Sequence, residues 1–129
     1  PQPIESLLRT LPLVSQAVVV GEGRKFVSAL LTLDPERASK YAEASGLPTS
    51  RTELMASDKL RQFVHDQLEQ MNAQLARFEQ IKRFTILPTE FSIERDEVTP
   101  TQKLRRKVIT KNYAAEIDAM YAEGEPTES

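Results

Sequence analysis

Residues 15–33 read SQAVVVGEGRKFVSALLTL. Val18, Val19 and Val20 are β-branched and stop at Gly21, which predicts a buried strand over 15–21. A second apolar run, KFVSALLTL, predicts another strand over 25–33. Gly21-Glu22-Gly23 is too short a link for a crossover, so the natural pairing is an antiparallel hairpin. The same Gly-x-Gly could open a dinucleotide loop. Phe26 stands where that motif needs its third glycine, and no helical pattern follows, so the plain hairpin is preferred.

Working outward, Ile4, Leu7, Leu8 and Leu11 recur at helical spacing behind Pro3, and Pro12 ends the pattern, predicting a helix over 3–11. After the hairpin, Asp34 is placed to cap a helix whose first position is Pro35 and which stops at Gly46. Residues 47–56 read as a connector. Ser57 is a candidate cap for the longest helix, in which Leu60, Phe63, Val64, Leu68, Met71, Leu75 and Phe78 form one apolar stripe. Such a stripe is core, and His65 beside it, lacking any partner motif, reads as structural or surface. Residues 81–87, IKRFTIL, predict a third strand closed by Pro88. Residues 89–98 read as a polar connector with a short extended piece around Phe91 and Ile93.

The next stretch, residues 94–113, is ERDEVTPTQKLRRKVITKNY. Pro100 disfavours helix at Thr99. Thr101 then reads as the cap of a final helix over about 102–121, with Lys103 at its mouth, where the helix dipole does not favour a cation. Leu104, Val108, Ile117 and Tyr121 are its apolar positions. The order α-β-β-α-α-β-α predicts an α+β domain over 1–121: a small, mainly antiparallel sheet, made of a hairpin plus a further strand and packed with helices. Residues 122–129 are expected to be an acidic, disordered tail.

The 129 residues are 40% hydrophobic and 28% charged, a globular composition that can bury a core. The net charge of −2 offers no global attraction to nucleic acid or acidic lipid. With no cysteine and one histidine, disulfides, thiolate metal sites and multi-histidine zinc centres are excluded within this chain, and no metal ligands are assigned. No apolar run approaches the ~20 residues of a membrane span, and no signal peptide is expected.

Three segments carry a family resemblance. PIESLLRTLPLVSQAVVVGEGRKFVSALLTLDPE, RFEQIKRFTIL and TPTQKLRRK, in this order and spacing, resemble the C-terminal domain of adenylate-forming, AMP-forming acyl-CoA synthetases of the long-chain fatty-acid type. The resemblance covers almost the whole chain. It implies a mobile lid of a fatty-acid–CoA ligase, an enzyme of fatty-acid metabolism whose large N-terminal domain would hold ATP and the acyl chain. It implies that Lys103 is the catalytic lysine of adenylation, carried on a loop of Thr99, Pro100, Thr101 and Gln102. The wider superfamily usually has glycine at the position of Gln102. The implied substrates of the full-length enzyme are ATP with Mg2+, fatty acid and CoA, none bound by this piece alone, which by itself is expected to be inactive. Its expected partner is the N-terminal domain, in a cytoplasmic enzyme with peripheral membrane association left open. Arg24 and Lys25 on the hairpin are candidate contacts for the phosphates of CoA, weighed against an ordinary solvated turn. Two rival readings use the basic segment 103–111 differently: as a nucleic-acid-binding surface, or as a protein-interaction module that docks an acidic partner. The acidic overall balance and the lack of aromatics among the cations weigh against the first.

Overall fold

The computed structural model describes residues 2–21, 23–48 and 50–122. Its elements are α1 (Gln2–Leu8), β1 (Val14–Val20), β2 (Val27–Leu33), α2 (Pro35–Ser45), α3 (Arg51–Met55), α4 (Asp58–Asn72), β3 (Ile81–Ile86), α5 (Arg106–Asn112) and α6 (Ala114–Ala122). The sheet order is β1-β2-β3. β1 and β2 form the expected antiparallel hairpin, with Val18 opposite Leu30, while β3 joins β2 in parallel, Ala29 opposite Phe84. The fold is thus the expected small α+β domain, with a mixed sheet. A parallel third strand follows from the connection, because 81–86 returns to the sheet after a long helical crossover rather than a tight turn.

β2 is buried along nearly its whole length, so its successive side chains feed two cores on opposite sheet faces. Ala29, Leu31 and Leu33, with Val14, Ala17, Val19, Ile81 and Phe84, face the first core. Leu8 of α1, Ala38 and Ala42 of α2, Leu54 of α3, and Leu60, Val64, Leu68 and Met71 of α4 cover it. Val18 and Leu30 point the other way, onto Leu87, Phe91, Val98, Ile109, Ile117 and Met120. That second core is roofed by the segment after β3 and by α5 and α6.

The helices of the first face end where their chemistry says. Asp34 accepts the Arg37 N–H at 3.0 Å, and Gly46 closes α2 at φ +71°, a conformation costly for other residues. Ser57 accepts the Leu60 N–H at 3.2 Å and starts α4. α4 stops at Asn72, however, so Leu75 and Phe78 fall beyond it, and Phe78, 81% exposed in a 3-10 turn, leaves the predicted stripe. Asn72 ends the run because its side chain pairs with both the N–H and the C=O of Ile81, at 2.9 Å each, and fixes the start of β3. Residues 47–56, read as a connector, contain the short α3.

The larger departure is in the last third. The expected helix over 102–121 begins only at Arg106 and breaks at Tyr113. Thr101 is not its cap. Residues 97–105 form a narrow ribbon instead: Val98 bridges Leu104, the Thr99 N–H donates to the Lys103 C=O at 2.8 Å, and the Arg105 N–H donates to the Glu97 C=O at 2.8 Å. Lys103 and Leu104 must stay extended to make these bonds, which delays the helix. No strand forms around Phe91 and Ile93: Phe91 is buried in the second core and Ile93 is 49% exposed. Ala122 still belongs to α6. The rest of the expected tail, 123–129, lies outside the described residues, as does Glu22 of the hairpin turn.

Candidate functional site

The tip of the 97–105 ribbon is built from Thr99, Pro100, Thr101, Gln102 and Lys103. Pro100 takes the second position of a turn closed by the Gln102 N–H donating to the Thr99 C=O at 2.8 Å, a place its fixed φ suits. Gln102 follows at φ +69°, in the left-handed region. A turn followed by one left-handed residue matches the twist of two short antiparallel segments. Glycine would reach that conformation at no steric cost. The Thr99 hydroxyl accepts the Lys103 N–H at 3.1 Å and lies 3.1 Å from the Thr101 hydroxyl. Both threonines thus serve the turn rather than a helix N-terminus.

Lys103 follows directly. It is exposed and, among the described residues, forms no salt bridge. Its cationic neighbours differ. Arg105 pairs with Asp96. Arg106 donates to the Val19 C=O at 3.0 Å and to the buried Glu5 carboxylate at 2.8 Å, while Glu5 accepts the Val19 N–H at 2.7 Å. Two of the cations that made 103–111 look like a phosphate-binding surface are therefore committed to intramolecular carboxylates. That leaves the nucleic-acid reading with little support.

The ribbon rests on a group that sequence reasoning passed over. Glu97 is fully buried. One carboxylate oxygen accepts the Ser92 N–H and the Arg95 Nε–H, both at 3.1 Å, and the other accepts the Asn112 amide at 3.0 Å. Burial pushes its pKa up, but the bonds from Asn112, Ser92 and the Tyr113 hydroxyl, with the charge of Arg95, outweigh this and hold it below the ordinary range. Tyr113 is pushed up, by burial first and then by Glu97. Nothing in the periodicity marks Glu97. It is one acid in a polar segment, and its partners are scattered from 92 to 113.

Arg24 and Lys25 are both exposed on the hairpin, on a different element from the 99–103 loop. Arg24 pairs with Asp118 at 3.1 Å and lies over the Tyr121 ring. It rims a cleft of about 860 Å³ whose walls include Val19, Val27, Phe78, Arg106 and Ile117. His65 is half exposed beside Asp66, on α4. Among the described residues no His/Asp/Glu cluster could hold a metal ion, and no helix is long and apolar enough to cross a membrane.

The model of the AMP-binding enzyme C-terminal domain matches residues 1–125. The chain belongs to that family. The chain is similar to the long-chain-fatty-acid–CoA ligase FadD15 of Mycobacterium tuberculosis, 39% identical over 129 residues, and to the long-chain-fatty-acid–CoA ligase ACSBG1 of Mus musculus, 32% identical over 142. These matches take in 94% and 95% of this chain, yet the chain spans only about 20% of either relative. Among solved structures, the adenylation domain of a carboxylate reductase from Mycobacterium chelonae superposes with TM-score 0.72 at 25% identity, over 94% of this chain and 17% of that one. The A-PCP didomain of a carboxylic acid reductase from Segniliparus rugosus, in complex with AMP, gives the same TM-score at 23% identity, over 95% and 16%, and supports the fold.

Proposed function

We propose that this AMP-binding C-terminal domain is the lid of a long-chain fatty-acid–CoA ligase, and that Lys103 is its adenylation lysine. The observation that carries the reading is an exposed ammonium, without an ion-pair partner among the described residues, at the tip of a ribbon whose neighbouring arginines are already engaged. In adenylation a fatty carboxylate attacks the α-phosphate of ATP and pyrophosphate leaves. Both reactants are anionic, and negative charge builds on the phosphoryl oxygens. A lysine brought in on a loop offsets that repulsion as a compact point charge. Mg2+ enters as part of the ATP substrate. The domain then withdraws the loop before CoA attacks the acyl-adenylate, as a moving lid can. The ATP and acyl sites belong to the rest of the enzyme, and a cytoplasmic location with peripheral membrane contact belongs to the same proposal.

The test uses the full-length ligase. Lys103→Ala should lower acyl-adenylate formation by ~10²–10³-fold, the effect of removing one electrostatic donor worth ~3–4 kcal/mol. Thioester formation from preformed acyl-adenylate should change far less. Lys107→Ala, an exposed cation on α5, is the control and should be nearly silent. Equal losses in both half-reactions, or a larger loss in the Lys107 variant, would refute the assignment.

A further inference from the structure

We infer that Glu97 is the positioning residue for Lys103, fixing the ribbon from which the lysine acts; the inference rests on the adenylation reading above. Three observations converge on it. First, Glu97 holds both strands of the ribbon's base. Its own C=O takes the Arg105 N–H of the returning strand, its N–H donates to the Ser92 C=O at 3.0 Å, and its neighbour Asp96 pairs with the Arg105 guanidinium. Second, its carboxylate gathers donors from separate segments: Ser92 and Arg95 ahead of the ribbon and Asn112 at the end of α5. Arg95 in turn reaches the Glu90 C=O at 2.7 Å, tying in the segment that follows β3. Third, the side chain is fully buried, and buried ions are often no more stabilising than apolar replacements. What a carboxylate adds is direction: fixed bonds that set where the ribbon leaves the core. Lys103 lies two residues from Arg105 on the returning strand, so a shift at Glu97 moves the ammonium. Misplacing a reacting group by ~1 Å can cost ~10²-fold in rate.

The decisive experiment compares Glu97→Gln, Lys103→Ala and the double variant in the full-length ligase, with each half-reaction measured separately. Glu97→Gln keeps the shape but turns one oxygen into a donor that faces donors. It should lower adenylation by ~10-fold or more and spare the thioester half-reaction. On the Lys103→Ala background it should cost almost nothing further, because its effect passes through the lysine. A merely structural role would lower both half-reactions and multiply independently with Lys103→Ala, and that result overturns the inference. So does adenylation by Glu97→Gln within about twofold of wild type while Lys103→Ala is impaired; the lysine assignment then stands alone. A silent Lys103→Ala removes the lysine reading and this inference together. If Glu97→Gln does not fold, Asn112→Ala, which deletes one donor from an exposed residue, replaces it with the same half-reaction and double-variant criteria.

Discussion

The two faces of the sheet are held by different physics. The face under α1 to α4 is an apolar contact closed by helices with ordinary caps, in which Leu60, Val64 and Leu68 lie almost fully buried. The face under α5, α6 and the 97–105 ribbon is smaller, and buried or half-buried charges define its edges: Glu97 with Arg95, and Glu5 with Arg106. Apolar burial is tolerant of small shifts and sets stability. Directional ionic bonds discriminate among geometries and add less net stability. The division suits a domain in which one side is scaffold and the other presents a reactive side chain.

The comparison breaks most easily through the scaffold face. Leu68→Ala should cost about 2–5 kcal/mol of unfolding free energy, because the cavity sits among packed neighbours of α4 and the sheet. Denaturant unfolding would show it, with the half-reaction balance of folded enzyme unchanged. On the other face Arg106→Ala should cost about 2 kcal/mol. It leaves the Glu5 carboxylate and the Val19 C=O short of a partner, but the guanidinium is partly exposed, which limits the loss.

Acid should separate the faces. The Glu97 pKa is lowered by folding, so its contribution is present above the ordinary glutamate range and is lost as pH falls below that range and through the folded value. Asp34, on the scaffold face, is also lowered, chiefly by its bond to the Arg37 N–H, but it lies at the surface and should matter less. NMR signals of Tyr113, beside Glu97, should therefore lose dispersion at a higher pH than those of Tyr41, which packs on Phe63. Simultaneous loss would show the two cores to be one cooperative unit. The smallest effect is expected at Gln102. Gln102→Gly relieves a left-handed conformation but frees the unfolded chain, for a net gain of about 0.5 kcal/mol at most, measurable as a small rise in Tm.

Legibility followed the same divide. α2 could be read from Asp34-Pro35 at one end and Gly46 at the other, because caps are local chemistry. The hairpin could be read from its valines and glycines. The break at Tyr113 could not, because its cause is long-range: Tyr113 and Asn112 are drawn to Glu97, and a periodic pattern carries no record of a partner fifteen residues away. Thr101 misled for a related reason. A threonine hydroxyl beside Pro100 suits a helix cap and a tight turn equally, and only the Val98–Leu104 pairing decides between them. Lys103 was marked by family resemblance, since no periodicity distinguishes it from Lys107. Of Arg24 and Lys25, the structure adds that Arg24 is already engaged by Asp118.

The bonds around Val19 have a consequence for solubility. β1 is the outer strand of the hairpin side of the sheet, and an outer strand with free N–H and C=O groups is a template for a strand from another molecule. At Val19 the Glu5 carboxylate occupies the N–H and the Arg106 guanidinium occupies the C=O. A strand arriving from a neighbouring copy finds the backbone groups of Val19 already occupied by side chains of its own domain, and must displace an ion pair before it can pair there.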